Sequence, residues 1–214
     1  MAGKTLTPLG IAVLALLNEG PMHPYEMYQL LMSRKEDRIV KVRPGSLYHA
    51  VDRLVENDLV REVGTEREGN RPERTTYEVT DSGRDALAAR ISEIVAEPIP
   101  EYPQFVLALS EIHNIDAVHA VSCVRRRIRH KLTEDAELAV IESAVTARAV
   151  PSIFYVGLRF MRAMIAGEIA WLEKFVDDIE TGRIPWLTED MASEMAARRA
   201  GHTSNNGGDL CKPK

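Results

Sequence analysis

The sequence is poor in the residues that define several classes of protein. It contains two cysteines in 214 residues, Cys123 and Cys211, without a paired spacing or histidines at metal-ligand intervals. No apolar run approaches the roughly 18 residues of a membrane-spanning helix, and residues 1–4 lack the apolar core of a signal peptide. We therefore expect a cytoplasmic protein without a structural disulfide, a metal site or a membrane anchor.

The motifs of common enzyme classes are also missing. The chain has no Gly-rich phosphate loop after a strand, no Gly-x-Ser-x-Gly turn and no His-Glu-x-x-His pair. Asp52 and Glu56 lie one helical turn apart, the spacing of paired catalytic carboxylates, but the neighbouring Arg53 favours a surface ion-pair role. We expect neither enzymatic activity nor a cofactor.

Basic residues are slightly outnumbered by acidic ones, so their distribution along the chain matters more than the net charge. The net charge is −5, which argues against indiscriminate nucleic-acid binding. Residues 1–80 carry 11 basic and 12 acidic side chains, whereas residues 81–214 carry 16 and 20, so the acidic excess lies mostly in the second half. The basic residues of the first half concentrate in a run over 34–43 and in a segment over 67–74. Alone such a run suggests a solvated loop, but beside a DNA-reading helix it favours phosphate contacts.

The first 97 residues show the pattern of a small helical domain closed by a β-hairpin. Helices are predicted at 8–18, 24–33 and 81–96, with Thr7 as the cap of the first. A further helix begins near residue 44, where Leu47, Ala50, Val51 and Leu54 form one apolar stripe. Strands at 59–63 and 75–80 flank a polar tip. This order is that of a winged helix-turn-helix, whose third helix enters the major groove while the hairpin touches the DNA backbone or the minor groove.

Four short motifs then resemble a known family. LTPLG at 6–10, PYEM at 24–27, GSLY at 45–48 and YEVTDSGR at 77–84 are similar, in this order, to motifs of the PadR family of transcriptional regulators. That family usually has Ser-Gly where this chain has His23-Pro24, and its wing is often more basic. The motifs and the basic residues together predict these DNA-binding positions: Tyr25, Lys41, Arg43, Ser46, Tyr48, His49, Arg53, Arg71 and Arg74.

Beyond a cluster of prolines at 98, 100 and 103, the chain is predicted to be helical again. We expect a winged helix-turn-helix domain over 1–97, a helical dimerisation and effector domain over 98–187, and a short helix with a disordered tail over 188–214. A short helix near 105–112, a long one over 116–149 and a last one after Pro151 make up the second domain. The fold is thus mostly α, with one small β-hairpin.

The last helix carries an apolar residue at every third or fourth position, as a packed seam does. Because the first helix is apolar almost all round, a second domain or a partner subunit should cover its other side. We therefore predict a homodimer with these contact residues: Leu9, Val13, Phe154, Leu158, Met161, Ile165, Ile169, Leu172, Val176 and Ile179.

A second stripe on the last helix contains Phe160, Met164, Trp171 and Phe175. Such stripes are more often core than ligand site. The family resemblance implies a second interpretation, since some PadR-like regulators take aromatic or planar effectors in a groove between C-terminal domains. Core and effector site both remain open at this point.

Two functions are consistent with this pattern. The first is a repressor that binds a pseudo-palindromic double-stranded DNA operator as a homodimer, with release by a small effector as an additional hypothesis. The alternative is a winged-helix module for protein–protein assembly that does not bind DNA. Salt-dependent DNA affinity distinguishes them, because only the first releases counterions from DNA.

Overall fold

The computed structural model describes residues 5–66, 74–187, 191, 193 and 194. The chain divides into two compact units, Met1–Glu101 and Tyr102–Lys214, which are called here the N-terminal and C-terminal units. The tip of the predicted hairpin and nearly all of the segment predicted as a short helix and tail lie outside the described residues.

The N-terminal unit has the predicted helices and hairpin, and the mostly helical fold class is confirmed. Thr7 and Thr80 cap two of the helices by accepting backbone N–H bonds through their hydroxyl oxygens, at 3.1 and 3.0 Å. The elements are α1 (Pro8–Glu19), α2 (Pro24–Ser33), α3 (Pro44–Glu56), β1 (Val60–Glu66), β2 (Arg74–Val79) and α4 (Asp81–Ala96).

The core of this unit explains why α1 is apolar almost all round. Helix α1 contacts α3, α4 and β2, so it is covered on more than one side within its own unit. Val13 is fully buried in this core and Leu9 packs partly buried against it. Val13 is therefore unavailable to a second subunit, and its assignment as a dimer contact is corrected, whereas that of Leu9 stays a prediction.

The hairpin is tied to the segment that precedes α2. Strands β1 and β2 pair antiparallel from Val60 opposite Val79 outwards, with an irregularity between Glu62 and Gly64. Met22 forms an isolated bridge with Tyr77 through two backbone hydrogen bonds of 3.1 and 3.2 Å. The start of α2 is thereby held against the second strand of the wing.

The C-terminal unit is built around two long helices packed on each other. It contains α5 (Gln104–Ser110), α6 (Ala117–Ala147) and α7 (Val156–Glu180), and Asp116 caps α6 as predicted. Its core combines Val121 and Val124 of α6 with Leu172 and Val176 of α7. No helix among the described residues is both long and apolar enough to cross a membrane.

Ion pairs add to this packing. Arg162 of α7 reaches two carboxylates of α6, Asp135 at 2.8 Å and Glu142 at 2.7 Å. The hydrogen bonds to these carboxylates raise the pKa of Arg162, and the guanidinium in turn lowers the pKa of Asp135. Both effects favour the charged forms, so the pair is ionised at neutral pH.

Candidate functional site

Helix α3 presents a polar face above a buried apolar stripe. Leu47, Ala50, Val51 and Leu54 are buried, as the periodicity predicted. Four of the predicted DNA-binding side chains on this helix are exposed: Ser46, Tyr48, His49 and Arg53. At 100° per residue, Ser46 and Arg53 lie on one flank of the exposed face and Tyr48 lies on the other.

The centre of this face carries negative as well as positive groups. Asp52 and Glu56 are exposed between the two flanks. The side chain that approaches Asp52 is that of His49, with 4.0 Å between Nδ1 and Oδ2. The expected pairing with Arg53 is therefore replaced by an i, i+3 contact, because adjacent residues on a helix point in different directions.

Only part of the basic run before α3 is free to meet an anion. The Arg34 guanidinium binds both carboxylate oxygens of Glu19, at 2.5 and 2.7 Å. This bond lowers the pKa of Glu19, so the carboxylate stays ionised and Arg34 stays paired. Lys41 and Arg43, directly before α3, are exposed. These two remain the best candidates for phosphate contacts.

The wing is only partly described. At its base, Arg61 of β1 donates to Glu78 of β2 over 2.6 Å, so this cation is paired across the strands. Arg74 begins β2, but its side chain is outside the described part of the chain, as is the whole of Arg71. The predicted contacts of these two arginines stay predictions.

His23 is a further residue of this region, with no role predicted from the sequence. Its ring caps α2, where Tyr25 is the exposed second residue, and lies edge-on to the ring of Tyr48 on α3, with centroids 6.3 Å apart. The signal for this cap was Glu26 three residues later, which completes a capping box in which His replaces the usual Ser or Thr.

The two stripes of α7 have different surroundings. Ile165, Leu172 and Val176 are buried within the C-terminal unit, so they are unavailable to a partner, and the prediction of a subunit seam there is corrected. Leu158, Met161, Ile169 and Ile179 are half-buried, and Phe154 lies on a 3-10 turn before α7 and is 78% exposed. In the other stripe, Phe160, Met164 and Trp171 are exposed, and the Trp171 ring stacks on half-buried Phe175 with 5.2 Å between centroids.

Solved structures share this fold. Bacillus subtilis PadR in complex with operator DNA is 20% identical, with a TM-score of 0.69 over 81% of this chain and 99% of that one. The same protein in complex with p-coumaric acid is 19% identical, with a TM-score of 0.65 over 81% of this chain and 98% of that one. A PadR-like regulator from Bacillus cereus is 15% identical, with a TM-score of 0.59 over 81% of this chain and 99% of that one.

Sequence comparison places the similarity in the N-terminal unit. No curated protein matches the chain significantly. The model of the transcriptional regulator PadR-like family matches residues 13–89, which run from α1 through α3 and the hairpin into α4. Over these residues the chain is similar to the PadR-like family of transcriptional regulators.

Proposed function

We propose that this protein is a sequence-specific DNA-binding regulator, a repressor, that binds a pseudo-palindromic operator as a homodimer. The observation that carries the proposal is the exposed polar face of α3, which stands on a buried stripe and is preceded by Lys41 and Arg43. A helix of this kind fits the major groove, and cations at its start match the phosphates alongside. The relative from Bacillus subtilis was solved in complex with operator DNA, which supports the same use of the fold here.

Mutations should separate the residues that recognise base pairs from those that contact phosphates. With duplexes selected from a random pool by the wild-type protein, we expect Tyr48→Ala and Arg53→Ala each to weaken binding by about 1–3 kcal/mol and to relax the preference at particular base pairs. Lys41→Ala should weaken binding to all duplexes alike and lower the slope of log affinity against log salt by about one unit. Fluorescence anisotropy over a salt series measures both quantities.

The matched control is Arg34→Ala, in which the lost cation is the one already bound to Glu19. It should leave the salt slope near that of the wild-type protein. A folded Tyr48→Ala, Arg53→Ala double variant with full affinity would show that α3 does not read DNA. Absence of any salt-dependent binding by the wild-type protein would instead favour the assembly-module alternative.

The exposed stripe of α7 supports the homodimer. Phe160, Met164 and Trp171 follow one line along the helix, and contiguous exposed apolar side chains mark interaction surfaces. The buried seam residues hold α7 to its own unit, so we assign the subunit contact to this second stripe. Two reading helices in one dimer would then meet half-sites about one DNA turn apart.

A planar aromatic effector is a further part of the proposal. The stacked Trp171 and Phe175 rings offer an aromatic surface of which Trp171 is 51% exposed. Phe160 stands about 16 Å away along α7, at 1.5 Å per residue, which is too far to share one small ligand. We therefore restrict the effector contact to Trp171, Phe175 and the intervening face up to Met164. The complex of Bacillus subtilis PadR with p-coumaric acid supports this ligand class.

Tryptophan fluorescence can test this effector site. Hydroxycinnamic and other planar aromatic acids should quench the indole emission and release the selected duplex, because a ligand that binds one packing arrangement better shifts the population towards it. Trp186→Phe removes the other tryptophan and isolates the Trp171 signal. If no compound changes either signal and Trp171→Ala only destabilises the protein, Trp171 belongs to the core or to the subunit contact alone.

A further inference from the structure

The ring of His23 caps the start of α2. Its Nδ1 accepts a hydrogen bond from the backbone N–H of Tyr25, with 3.0 Å between the nitrogens. The carboxylate of Glu26 accepts a second bond from the backbone N–H of His23, at 2.9 Å. Most helix caps use Ser, Thr, Asp or Asn, whose charge does not change between pH 5 and 8, whereas histidine titrates in that interval.

His23 also lies where three elements meet. The preceding residue, Met22, is bound to Tyr77 of β2 by two backbone hydrogen bonds. The imidazole contacts Tyr48 of α3 in a T-shaped arrangement, with 6.3 Å between centroids and 74° between planes. Aromatic pairs prefer this geometry because the positive edge of one ring meets the negative face of the other. The ring thus joins the start of α2 to a side chain on the exposed face of α3.

We propose that His23 is a positioning residue for DNA recognition, whose neutral ring holds the start of α2 and Tyr48 in place, so that protonation of this side chain weakens operator binding. The inference rests on the proposed function, which assigns Tyr48 to the DNA-reading face. It adds a single group through which a change of pH acts on that face.

The expected direction of the pH effect, weaker binding on protonation, follows from the chemistry of the imidazole ring. Nδ1 accepts a hydrogen bond only in the neutral ring that carries its proton on Nε2. In the imidazolium both nitrogens carry protons, so the N–H of Tyr25 loses its acceptor. The new positive charge also lies at a helix N-terminus, where the helix dipole disfavours cations. Both effects loosen the start of α2, and with it the position of the ring beside Tyr48.

Several titratable groups surround this junction in the described part of the chain. Glu26 lies on α2, Tyr48 and Asp52 on α3, and Tyr77 and Glu62 on the hairpin. Burial first, and then the charges of Glu62 and Asp52, raise the pKa of Tyr77, which stays neutral. The carboxylates favour the imidazolium, but exposed ion pairs contribute less than a lost cap costs. The lost cap therefore outweighs the carboxylates, and the folded protein favours the neutral ring of His23.

The pH window follows from linkage. The native state needs the neutral ring and the unfolded chain does not, so the unfolded chain takes up the proton more readily. The stabilisation from the cap is complete above the histidine range, centred near pH 6.5 in model peptides, and is lost as the pH falls through that range.

The test compares His23 with a cap that does not titrate. His23→Ser keeps an N-cap acceptor, and both proteins carry His49→Gln so that no second imidazole lies on the exposed face of α3. We expect the affinity loss between about pH 7.5 and about pH 5.5 to be roughly three- to tenfold greater with His23 than in the His23→Ser variant. Equal losses would overturn the inference.

A measurement without DNA separates this inference from the proposed function. Protection of the Tyr25 backbone amide from hydrogen exchange should fall on acidification in the protein with His23 and persist in the His23→Ser variant. Protection that is independent of pH in both proteins would refute the cap mechanism even if DNA binds. If no DNA binds at any pH, the proposed function fails, and the amide protection still decides whether the ring is a titrating cap.

Discussion

Replacing Gly83 with alanine is expected to destabilise the N-terminal unit by about 3 kcal/mol or more, at the upper end for overpacked sites. A Cβ atom at Gly83 would lie 2.1 Å from the carbonyl oxygen of Leu59 and 2.8 Å from a methyl carbon of Val79. The Leu59 oxygen already accepts the N–H of Thr80 at 3.1 Å, and Thr80 caps α4. Neither the strand nor the helix can retreat without breaking these bonds.

Thermal unfolding followed by circular dichroism measures this effect, and a drop of roughly 15 °C is expected for a unit of this size. Fluorescence of Trp171 and Trp186 follows the C-terminal unit separately, since both tryptophans lie there. Gly45→Ala is the matched control, because a Cβ there meets no atom within 4 Å. A Gly83→Ala protein that melts with the control would show that a side chain fits between Gly83 and Leu59.

A second large effect is expected from glutamate substitutions on the two faces of α7. Phe160→Glu combined with Met164→Glu should give folded monomers, because both side chains are exposed within the subunit and charges there would be buried only in a dimer. Leu172→Glu should instead unfold the C-terminal unit, since Leu172 is fully buried. Burying an unpaired charge costs several kcal/mol. We therefore expect nearly complete dissociation in the first variant and nearly complete unfolding of the C-terminal unit in the second.

Light scattering at micromolar concentration, together with circular dichroism, distinguishes these outcomes. Ala163→Glu is the control for the effect of one added glutamate, since it lies at an exposed α7 position about 100° round the helix from Met164. The control should remain dimeric. A wild-type monomer, or a dimer that survives the Phe160 and Met164 changes, would contradict the assigned contact surface.

The helices could be predicted closely because their signals are local. Thr7 before Pro8 and Thr80 before Asp81 are caps, and a cap depends on a few neighbouring residues. The stripe at Leu47, Ala50, Val51 and Leu54 follows from helical period alone, and all four residues are buried. The same period places the polar residues of α3 on the opposite side, and these side chains are exposed: Ser46, Tyr48, His49 and Arg53.

Contacts between distant residues could not be predicted in this way. Glu19 pairs with Arg34, 15 residues later in the chain, and so joins the ends of two helices. This pairing removes one cation from the basic run. The close approach of Gly83 to Leu59 could not be predicted either, because a glycine at this point of the sequence is equally consistent with a simple turn. His23 acquired a role only when the fold set its ring beside Tyr48.

Sequence alone therefore determined where the helices and the hairpin lie and which side of each is apolar, since period and capping are properties of short segments. The tertiary structure decided which neighbour covers each apolar side. Val13 and Leu172 were predicted as subunit contacts, yet Val13 is buried in the core of the N-terminal unit, and Leu172 packs in the core that α6 and α7 share. Trp171 and Met164 have the same periodicity and remain exposed. Periodicity predicts that one face of a helix is buried. Because the hydrophobic effect is non-directional, it does not specify which element or subunit covers that face, and only the packed fold does.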